Sequence, residues 1–391
     1  MDALSLGDVV AAFDELYPPA WAEDWDAVGL VCGDPAAPVR RVRFAVDPVT
    51  ATVGEALAAG ADLLITHHPL LLRPVHGVPA TTYKGRLVHD LIRGGAGLLV
   101  AHTNADVANP GVSDALAARL GLRDTTPLRP AAAEPLDKIV TFVPHAGAER
   151  VVDALAAAGA GTIGDYTRCA WTTRGEGTFR PGAGAEPAIG RVGEVEVVGE
   201  TRVELVLPRH RRAAVVAALR AAHPYEEPAF DVFELAAVPD GRGIGRVGTL
   251  PDPVPLREFA AQVATALPAS AAGIRAAGDP DRPVRIVAVQ GGAGDGNLTA
   301  AVRAGADAYV TADLRHHPAS EHVESGGPAL VEASHWSTER PWLDDAARRL
   351  GAALRARHGD LSATVDLSVS DLITDPWTLH AVPHDPGPLR P

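Results

Sequence analysis

Cysteine is scarce in this sequence, which contains Cys32 and Cys169 and no other thiol among its 391 residues. Two isolated cysteines supply neither a disulfide framework nor the paired spacing of a zinc-thiolate site, and they are typical of a reducing compartment. We therefore expect a cytoplasmic protein in which histidine and carboxylate side chains, rather than thiolates, hold any metal ion.

Long apolar runs and basic stripes are also lacking. No uninterrupted apolar stretch reaches the length of a membrane span, and the N-terminal residues do not place a basic segment before an apolar block, so we expect neither a membrane helix nor a signal peptide. The formal net charge is -14 and the arginines are scattered, which indicates that neither nucleic acid nor an anionic membrane is a partner. The length predicts two or three domains.

Short apolar runs alternate with longer amphipathic ones in two parts of the chain, residues 36–130 and 285–357. This alternation is typical of βαβ units around a parallel sheet. The two parts also match in detail, "AGADLLITHHP" with "AGADAYVTADLRHHP" and "GLLVAHTNAD" with "PALVEASHWSTE". The repeat predicts an α/β fold in which two related α/β halves, residues 1–130 and 239–378, face one another across one shared metal-binding site.

The pattern between the two halves is different. It runs β-α-β-β-α-β from the strand "DKIVTFVP" to the strand "AFDVFEL", which is the order of a ferredoxin-like unit. We therefore predict an inserted ferredoxin-like α+β domain at residues 131–238. The proline-rich residues 379–391 are expected to form an extended C-terminal tail.

Five of the histidines follow predicted strands, where open α/β sheets place their ligands. Acidic residues accompany them. The resulting candidate site consists of His67, His68, His102, His317, His335, Asp106, Asp313 and Glu339.

The adjacent histidines of "ITHHPL" can serve one cavity only where their strand is ending, because successive strand residues point to opposite faces, and Pro69 enforces an end there. One solvent-facing and one core histidine is an equally simple explanation. His102 with Asp106, and His335 with Glu339, would each lie on one face of a helical turn and could hold one ion. An ordinary solvated helix start explains either pair alone, and the repetition behind two strands favours metal binding.

Imidazole and carboxylate ligands without thiolate suit Zn, Fe, Mn, Co or Ni. Three histidines and two acids exceed the ligand set of the usual single catalytic zinc, so two ions that share Glu339 are the economical interpretation. Because such a pair lowers the pKa of a bridging water, the pattern predicts hydrolytic chemistry.

Two glycine-rich stretches could contact phosphate groups. "GIGRVG", residues 243–248, has the letters of a dinucleotide fingerprint but neither follows a predicted strand nor opens a helix, so we predict a plain turn. "VQGGAGDGN", residues 289–297, lies between a predicted strand and a predicted helix. It is either a tight turn or a loop whose backbone N–H groups bind phosphate, and the second alternative would suit a nucleotide substrate.

The motifs resemble those of the Nif-three-like family of dinuclear metal-centre proteins, also known as GTP cyclohydrolase 1 type 2 homologues, over nearly the whole chain. The resemblance implies a homohexameric ring and an insert similar to the trimeric PII and CutA-like ferredoxin-like domains. The matching segments are "WDAVGLVCGD", "AVDPVTATVGEA", "ITHHPLL", "HTNAD", "HPYEEPAFDVFEL", "GIGRVG", "VQGGAGDG", "TADLRHH" and "SHWSTE".

The same resemblance implies two divalent metal ions per subunit. His67 and His335 would bind one ion, His68 and Asp106 would bind the other, and Glu339 would bridge them.

The resemblance also implies two catalytic histidines. His102 would lie behind the ligands, and His317, four residues after Asp313, would act beside the bridging water as a proton shuttle. Four residues depart from the family pattern without removing a ligand, and they alter the expected floor of the substrate pocket: Gln290, Ala312, Ser334 and Trp336.

Two functions are compatible with such a site. A metal-dependent hydrolase of the GTP cyclohydrolase type would open the imidazole ring of GTP by attack at C8 and release formate, with His317 or His102 moving protons. The choice of GTP comes from the family name alone. A non-catalytic metal-binding scaffold, chaperone or regulatory protein would use the same ligands.

Overall fold

The computed structural model describes residues 3–381 and divides into two compact units. The smaller unit is Ala132–Asp240, and the larger unit contains the described residues on either side of it in the sequence. Residues 382–391, most of the expected C-terminal tail, lie outside the described part of the chain. Within that described part, no helix is both long enough and apolar enough to cross a membrane.

The helices and strands follow one another in three chain segments. Before residue 132 they are α1 (Leu6–Leu16), β1 (Gly29–Cys32), β2 (Arg41–Ala45), α2 (Thr50–Ala58), β3 (Leu63–Thr66), α3 (Tyr83–Arg93), β4 (Gly97–Val100), α4 (Thr103–Val107), α5 (Val112–Arg119) and β5 (Arg123–Pro130). The smaller unit contains β6 (Leu136–Pro144), α6 (Ala148–Ala157), β7 (Trp171–Phe179), β8 (Glu196–Pro208), α7 (Arg212–Ala222) and β9 (Phe230–Glu234). After residue 240 come β10 (Gly243–Pro255), α8 (Leu256–Ala266), β11 (Arg275–Ala277), β12 (Pro283–Ala293), α9 (Leu298–Arg303), β13 (Ala308–Ala312), α10 (His316–Glu324), β14 (Ala329–Glu332), α11 (His335–His358) and β15 (Asp366–Val369). Short 3-10 helices are Pro19–Trp21, His145–Gly147, Arg209–Arg211, Asp295–Asn297 and Gly359–Thr364.

The first sheet of the larger unit has five strands in the order β1-β4-β3-β2-β15. β1 runs antiparallel to β4, and the other neighbours are parallel. Every residue of β3 and β4 is buried, as expected for parallel strands that are covered on both faces. Leu63 and Ile65 pack into the core formed with α1 and α11, whereas Leu64 packs into the core formed with α2 and α3. The two-residue period of the strand therefore serves two separate cores.

The second sheet of the larger unit has six strands in the order β11-β14-β13-β12-β10-β5. β12, β13 and β14 are parallel neighbours, and the outer strands are antiparallel. Helices α5 and α8 pack on one face, where Val310 is buried, and α9 packs on the other, where Tyr309 is buried. The protein is therefore a mixed α/β fold with several sheets.

The stretch "GIGRVG" is a strand, which corrects the plain turn predicted from the sequence. It opens β10, where Val247 pairs with Ala288 of β12 on one side and with Thr126 of β5 on the other. Gly245 has a φ of +67°, and a Cβ added there would lie 2.9 Å from the carbonyl oxygen of Val289. The glycine thus allows close approach of neighbouring backbone inside a sheet, a requirement that the local sequence pattern does not show.

The smaller unit has one antiparallel sheet in the order β7-β8-β6-β9. Its elements follow one another as β-α-β-β-α-β. Val151 and Leu155 of α6, together with Val215 and Leu219 of α7, are buried against this sheet. The unit therefore has a hydrophobic core of its own.

Candidate metal centre

The ends of two neighbouring parallel strands bring three histidines together. β3 ends at residue 66, yet the N–H groups of His67 and His68 still donate to carbonyl oxygens at and just after the end of β2. Pro69 follows immediately. β4 ends at residue 100, and His102 is the N-cap residue of α4. Parallel strands place their carboxyl ends at one edge of the sheet, so all three imidazoles lie at that edge.

Helix α11 supplies the other half of the cluster. The hydroxyl of its N-cap residue, Ser334, accepts a hydrogen bond from the N–H of Ser337, which fixes the start of the helix directly after β14. His335 and Glu339 then lie one turn apart on one face, with His335 Nε2 2.9 Å from Glu339 Oε1. The Glu339 side chain is only 3% exposed.

Glu339 lies at the centre of the cluster. Its Oε1 is 3.4 Å from His67 Nε2, and its Oε2 is 3.1 Å from His68 Nε2. His68 Nε2 is 3.2 Å from His335 Nε2, and His67 Nε2 is 3.7 Å from Asp106 Oδ1. These distances group His68 with His335 and His67 with Asp106, whereas the family resemblance implies the crossed pairing. The division of the ligands between two ions stays a prediction.

Each of the four imidazoles has its Nδ1 atom beside an oxygen acceptor. An Nδ1–H group that donates to such an oxygen leaves Nε2 with its lone pair, which is the tautomer that binds a metal ion. The Nε2 atoms of His67, His68 and His335 lie within 3.4 Å of Glu339. The pairs are His67 with the Ala101 carbonyl (2.9 Å), His68 with Asp47 (2.7 Å), His102 with Asp26 (2.9 Å) and His335 with Asp313 (2.7 Å).

Positive charge on the surrounding groups stabilises the buried carboxylate of Glu339. Burial lowers the pKa of His335, but the charge of Glu339 and the hydrogen bonds with Asp313 and Glu339 outweigh burial and raise that pKa to about 11. In the same way, burial is outweighed at His68 by Glu339 and Asp47, which raise its pKa to about 10. Burial raises the pKa of Glu339, but the neighbouring imidazoles outweigh it and hold that pKa well below its ordinary value. Protons or divalent cations can supply the charge.

Two buried atoms at the centre, His67 Nε2 and Glu339 Oε2, find no hydrogen-bond partner in suitable geometry among residues 3–381. Unpaired buried polar atoms are costly, and a cation bound between them would remove that cost. Ligand atoms of His67, His68 and His102 lie within 4.8 Å of one another, as do those of His68, His335 and Glu339. The side chains therefore fit a metal centre with histidine and carboxylate ligands.

Two cavities open onto the cluster. One, of about 510 Å³, is lined by His102, Asp106 and Glu339 among other residues. The other, of about 690 Å³, is lined by His68 and Trp336 among other residues. Either volume can hold a small organic molecule beside the ligands.

The structure does not bring His317 to the cluster. This residue is exposed in α10 and lines neither of the two cavities. Its ring packs on that of His316, with centroids 5.1 Å apart. The proton-shuttle role stays a prediction without a contact to support it, and His102 is better placed because it lines a cavity together with Glu339.

The sequence pattern does not identify two carboxylates that contact these histidines, Asp26 and Asp47, although "WDAVGL" and "AVDPVT" contain them. Burial raises the pKa of Asp26, but hydrogen bonds from His102 and Thr103 outweigh it and hold that pKa well below its usual range. Asp47 follows the end of β2, beside the end of β3 where His68 lies. The only sequence feature that indicates a role for Asp47 at the site is its position just after a predicted strand.

The glycine-rich segment at residues 289–297 ends strand β12, continues into the 3-10 helix Asp295–Asn297, and packs directly against the cluster. The N–H groups of Gly291 and Gly292 donate to the hydroxyls of Ser113 and Thr338, at 3.3 and 2.9 Å, so these two groups are already engaged and are not free for a phosphate. Gly292 has a φ of +70°, and a Cβ added there would lie 2.5 Å from Glu339 Oε1. The glycine therefore leaves room for the carboxylate.

The substitution Gly292→Ala should weaken metal binding at least about tenfold, because the added methyl group displaces Glu339 and disfavours the positive φ. The measurement is zinc affinity by competition with a chelator of known affinity. Gly296→Ala is the matched control, since a Cβ there has no atom within 4 Å and φ is ordinary. Equal zinc affinities in the two variants would contradict the close packing inferred for Gly292.

Comparison with known proteins agrees with the architecture. The family model described as Duf34/NIF3 (NGG1p interacting factor 3) matches residues 4–376. The "GTP cyclohydrolase 1 type 2 homolog" of Mycobacterium tuberculosis is 52% identical over 378 residues, which cover 96% of this chain and 97% of that protein. The Bacillus subtilis protein of the same name is 37% identical over 370 residues, with 95% and 97% covered. The crystal structure of a Bacillus cereus protein related to NIF3 is 35% identical, covers 97% of this chain and 100% of that chain, and has a TM-score of 0.77. Because the match extends over almost the whole sequence, the chain belongs to the Duf34/NIF3 family.

Proposed function

We propose that this protein is a dinuclear metal-dependent hydrolase of the GTP cyclohydrolase type. The observation that carries the proposal is the orientation of four imidazoles, each with an oxygen acceptor at Nδ1, around one buried carboxylate. Two divalent ions held there would supply a nucleophile from water at neutral pH. The choice of GTP as the substrate rests on the name of the relatives, "GTP cyclohydrolase 1 type 2 homolog". The proposed ligands are His67, His68, Asp106, His335 and Glu339.

His102 is the proposed acid and base. The Asp26 carboxylate accepts a hydrogen bond from His102 Nδ1 at 2.9 Å and another from the N–H of Thr103 at 3.0 Å. This contact holds the imidazole so that its Nε2 atom can take and return a proton. The indole of Trp25 packs edge-on against this ring, with centroids 6.0 Å apart. Arg129 lines the same cavity, where its guanidinium group could contact a nucleotide phosphate.

Formate release from GTP tests the proposed activity. Protein reconstituted separately with Zn, Mn and Fe(II) should release formate, and Glu339→Ala should not. His102→Gln should retain its metal and lose about a hundredfold in rate, since it removes the proton-transfer group. If the fully loaded wild type releases no formate, GTP is not the substrate, and the non-catalytic scaffold or another hydrolytic substrate takes its place.

We further propose the finer architecture and assembly implied by the family resemblance. The chain would consist of two related α/β halves with an inserted ferredoxin-like domain, and six copies would form a ring. The proposal is supported by the ligands that follow parallel strands in both sheets of the larger unit. The smaller unit supports it through its β-α-β-β-α-β order and its sheet order β9-β6-β8-β7. Sedimentation velocity tests the ring, which requires a mass six times that of the chain.

A further inference from the structure

A cavity of about 600 Å³ lies within the smaller unit, which supplies all of its lining residues. Its volume falls in the range of small-molecule sites. The walls are largely apolar and include Phe142, Phe179, Pro187 and Ile189. The loop between β7 and β8 forms one side and is held in place where the N–H of Glu186 donates to Glu226 Oε2 at 3.0 Å.

A buried carboxylate, that of Glu200, lies in this cavity. Glu200, on β8, is only 8% exposed, and its Oε1 accepts a hydrogen bond from the Tyr225 hydroxyl at 2.8 Å. Within residues 3–381, no basic side chain forms an ion pair with Glu200, and Arg202 pairs with Glu204 at 2.7 Å instead. Burial lowers the pKa of the neighbouring His223, so that ring is uncharged at neutral pH. A charge buried without a counter-charge is costly, and a bound cation would offset the cost.

Aromatic rings lie next to the same carboxylate. The rings of Phe179 and Tyr225 pack with centroids 5.6 Å apart, and both residues line the cavity. A Cβ added at Gly177 would overlap Glu200 Oε2, so the glycine of β7 leaves room for that oxygen. Aromatic faces and a buried carboxylate both attract an organic cation.

The rim of the cavity also carries more negative than positive charge. The charged residues that line it, apart from Glu200, are Glu176, Glu226, Glu227, Arg174 and Arg202. This balance favours a cationic ligand over an anionic one.

We propose that this cavity is a binding site for a small organic cation, a protonated amine carried on an apolar or aromatic body. The ammonium group pairs with Glu200, and the apolar body packs among Phe142, Phe179 and Ile189. The site is independent of the metal centre and of the activity proposed for it.

The test uses 2-phenylethylamine as the probe and the full chain at neutral pH, with binding measured by calorimetry and by the NMR shift of the Ile189 methyl group. The neutral analogue 2-phenylethanol has nearly the same shape. We expect the amine to bind at least about tenfold more tightly than the alcohol, because only the amine neutralises Glu200. Equal affinities, or no saturable shift of Ile189 with the amine, would overturn the proposal.

Two matched variants test whether the buried carboxylate of Glu200 is the group that binds the amine. Glu200→Gln keeps the shape and the Tyr225 hydrogen bond, and it should abolish the preference for the amine over the alcohol. Glu176→Gln removes an exposed carboxylate at the rim of the same cavity and should change amine affinity less than about threefold. A preference that survives in Glu200→Gln, or that is lost equally in both variants, rules out the buried carboxylate as the recognition group.

Discussion

Replacing Glu339 by alanine should remove both metal ions together. Its two oxygens lie 2.9 to 3.4 Å from Nε2 atoms of His67, His68 and His335, so a cation held by any of these rings would also be held by this carboxylate. We expect zinc retained after desalting to fall from about two ions per chain to nearly none. The measurement is elemental analysis of protein loaded with excess zinc.

A matched variant controls for loss of charge alone. Glu324→Ala removes an exposed carboxylate from α10 and should keep the full zinc content. His68→Ala should lose mainly one ion. Full zinc content in a Glu339→Ala protein with native circular dichroism would contradict the two-metal site, and retention of one ion would make Glu339 a ligand of one ion rather than a bridge.

Replacing Arg246 by methionine should destabilise the larger unit by about 3–5 kcal/mol, because it leaves buried acceptors without their donor. Arg246 is 2% exposed, and all five of its N–H donors are used. They contact both oxygens of Asp114 at 2.7 and 2.6 Å and the carbonyl oxygens of Gly243, Gly245 and Ala108 at 2.6 to 2.7 Å. Urea unfolding of the larger unit measures the loss.

The neighbouring strand offers the control for Arg246. Arg129 on β5 is 54% exposed and lies 3.7 Å from Glu23, so Arg129→Met should cost less than about 1 kcal/mol. Comparable losses of unfolding free energy in the two variants would show that the buried hydrogen bonds of Arg246 do not hold strand β10 in place.

Apolar runs and residue spacing predict those features of the candidate site that depend only on residues close together in the sequence. The apolar runs before His67 and His102 are β3 and β4, because buried parallel strands are continuous apolar runs. Strand β3 ends just before Pro69, as the sequence predicts. His335 and Glu339 lie on one turn of α11 as their spacing predicts.

Residues that act across the fold could not be predicted in this way. Asp26 lies 76 positions from His102 in sequence, and Asp47 lies 21 positions from His68. Both pairs form only when particular strands become neighbours, which propensity and periodicity do not specify. The structural role of Arg246 could not be predicted for the same reason, because its hydrogen-bond acceptors lie in β10 itself and in the distant residues Ala108 and Asp114.

The order in which the chain leaves the ribosome has a consequence for this cluster. Strand β15 pairs with β2, joining Asp366 to Arg41, and α11 brings Glu339 to histidines that precede it by more than half of the sequence. A growing polypeptide therefore displays His67, His68 and His102 long before their shared carboxylate has been translated. A nascent chain stalled within the insert would therefore carry these three imidazoles without Glu339, whose oxygens lie 3.1 to 3.4 Å from His68 and His67 in the folded protein.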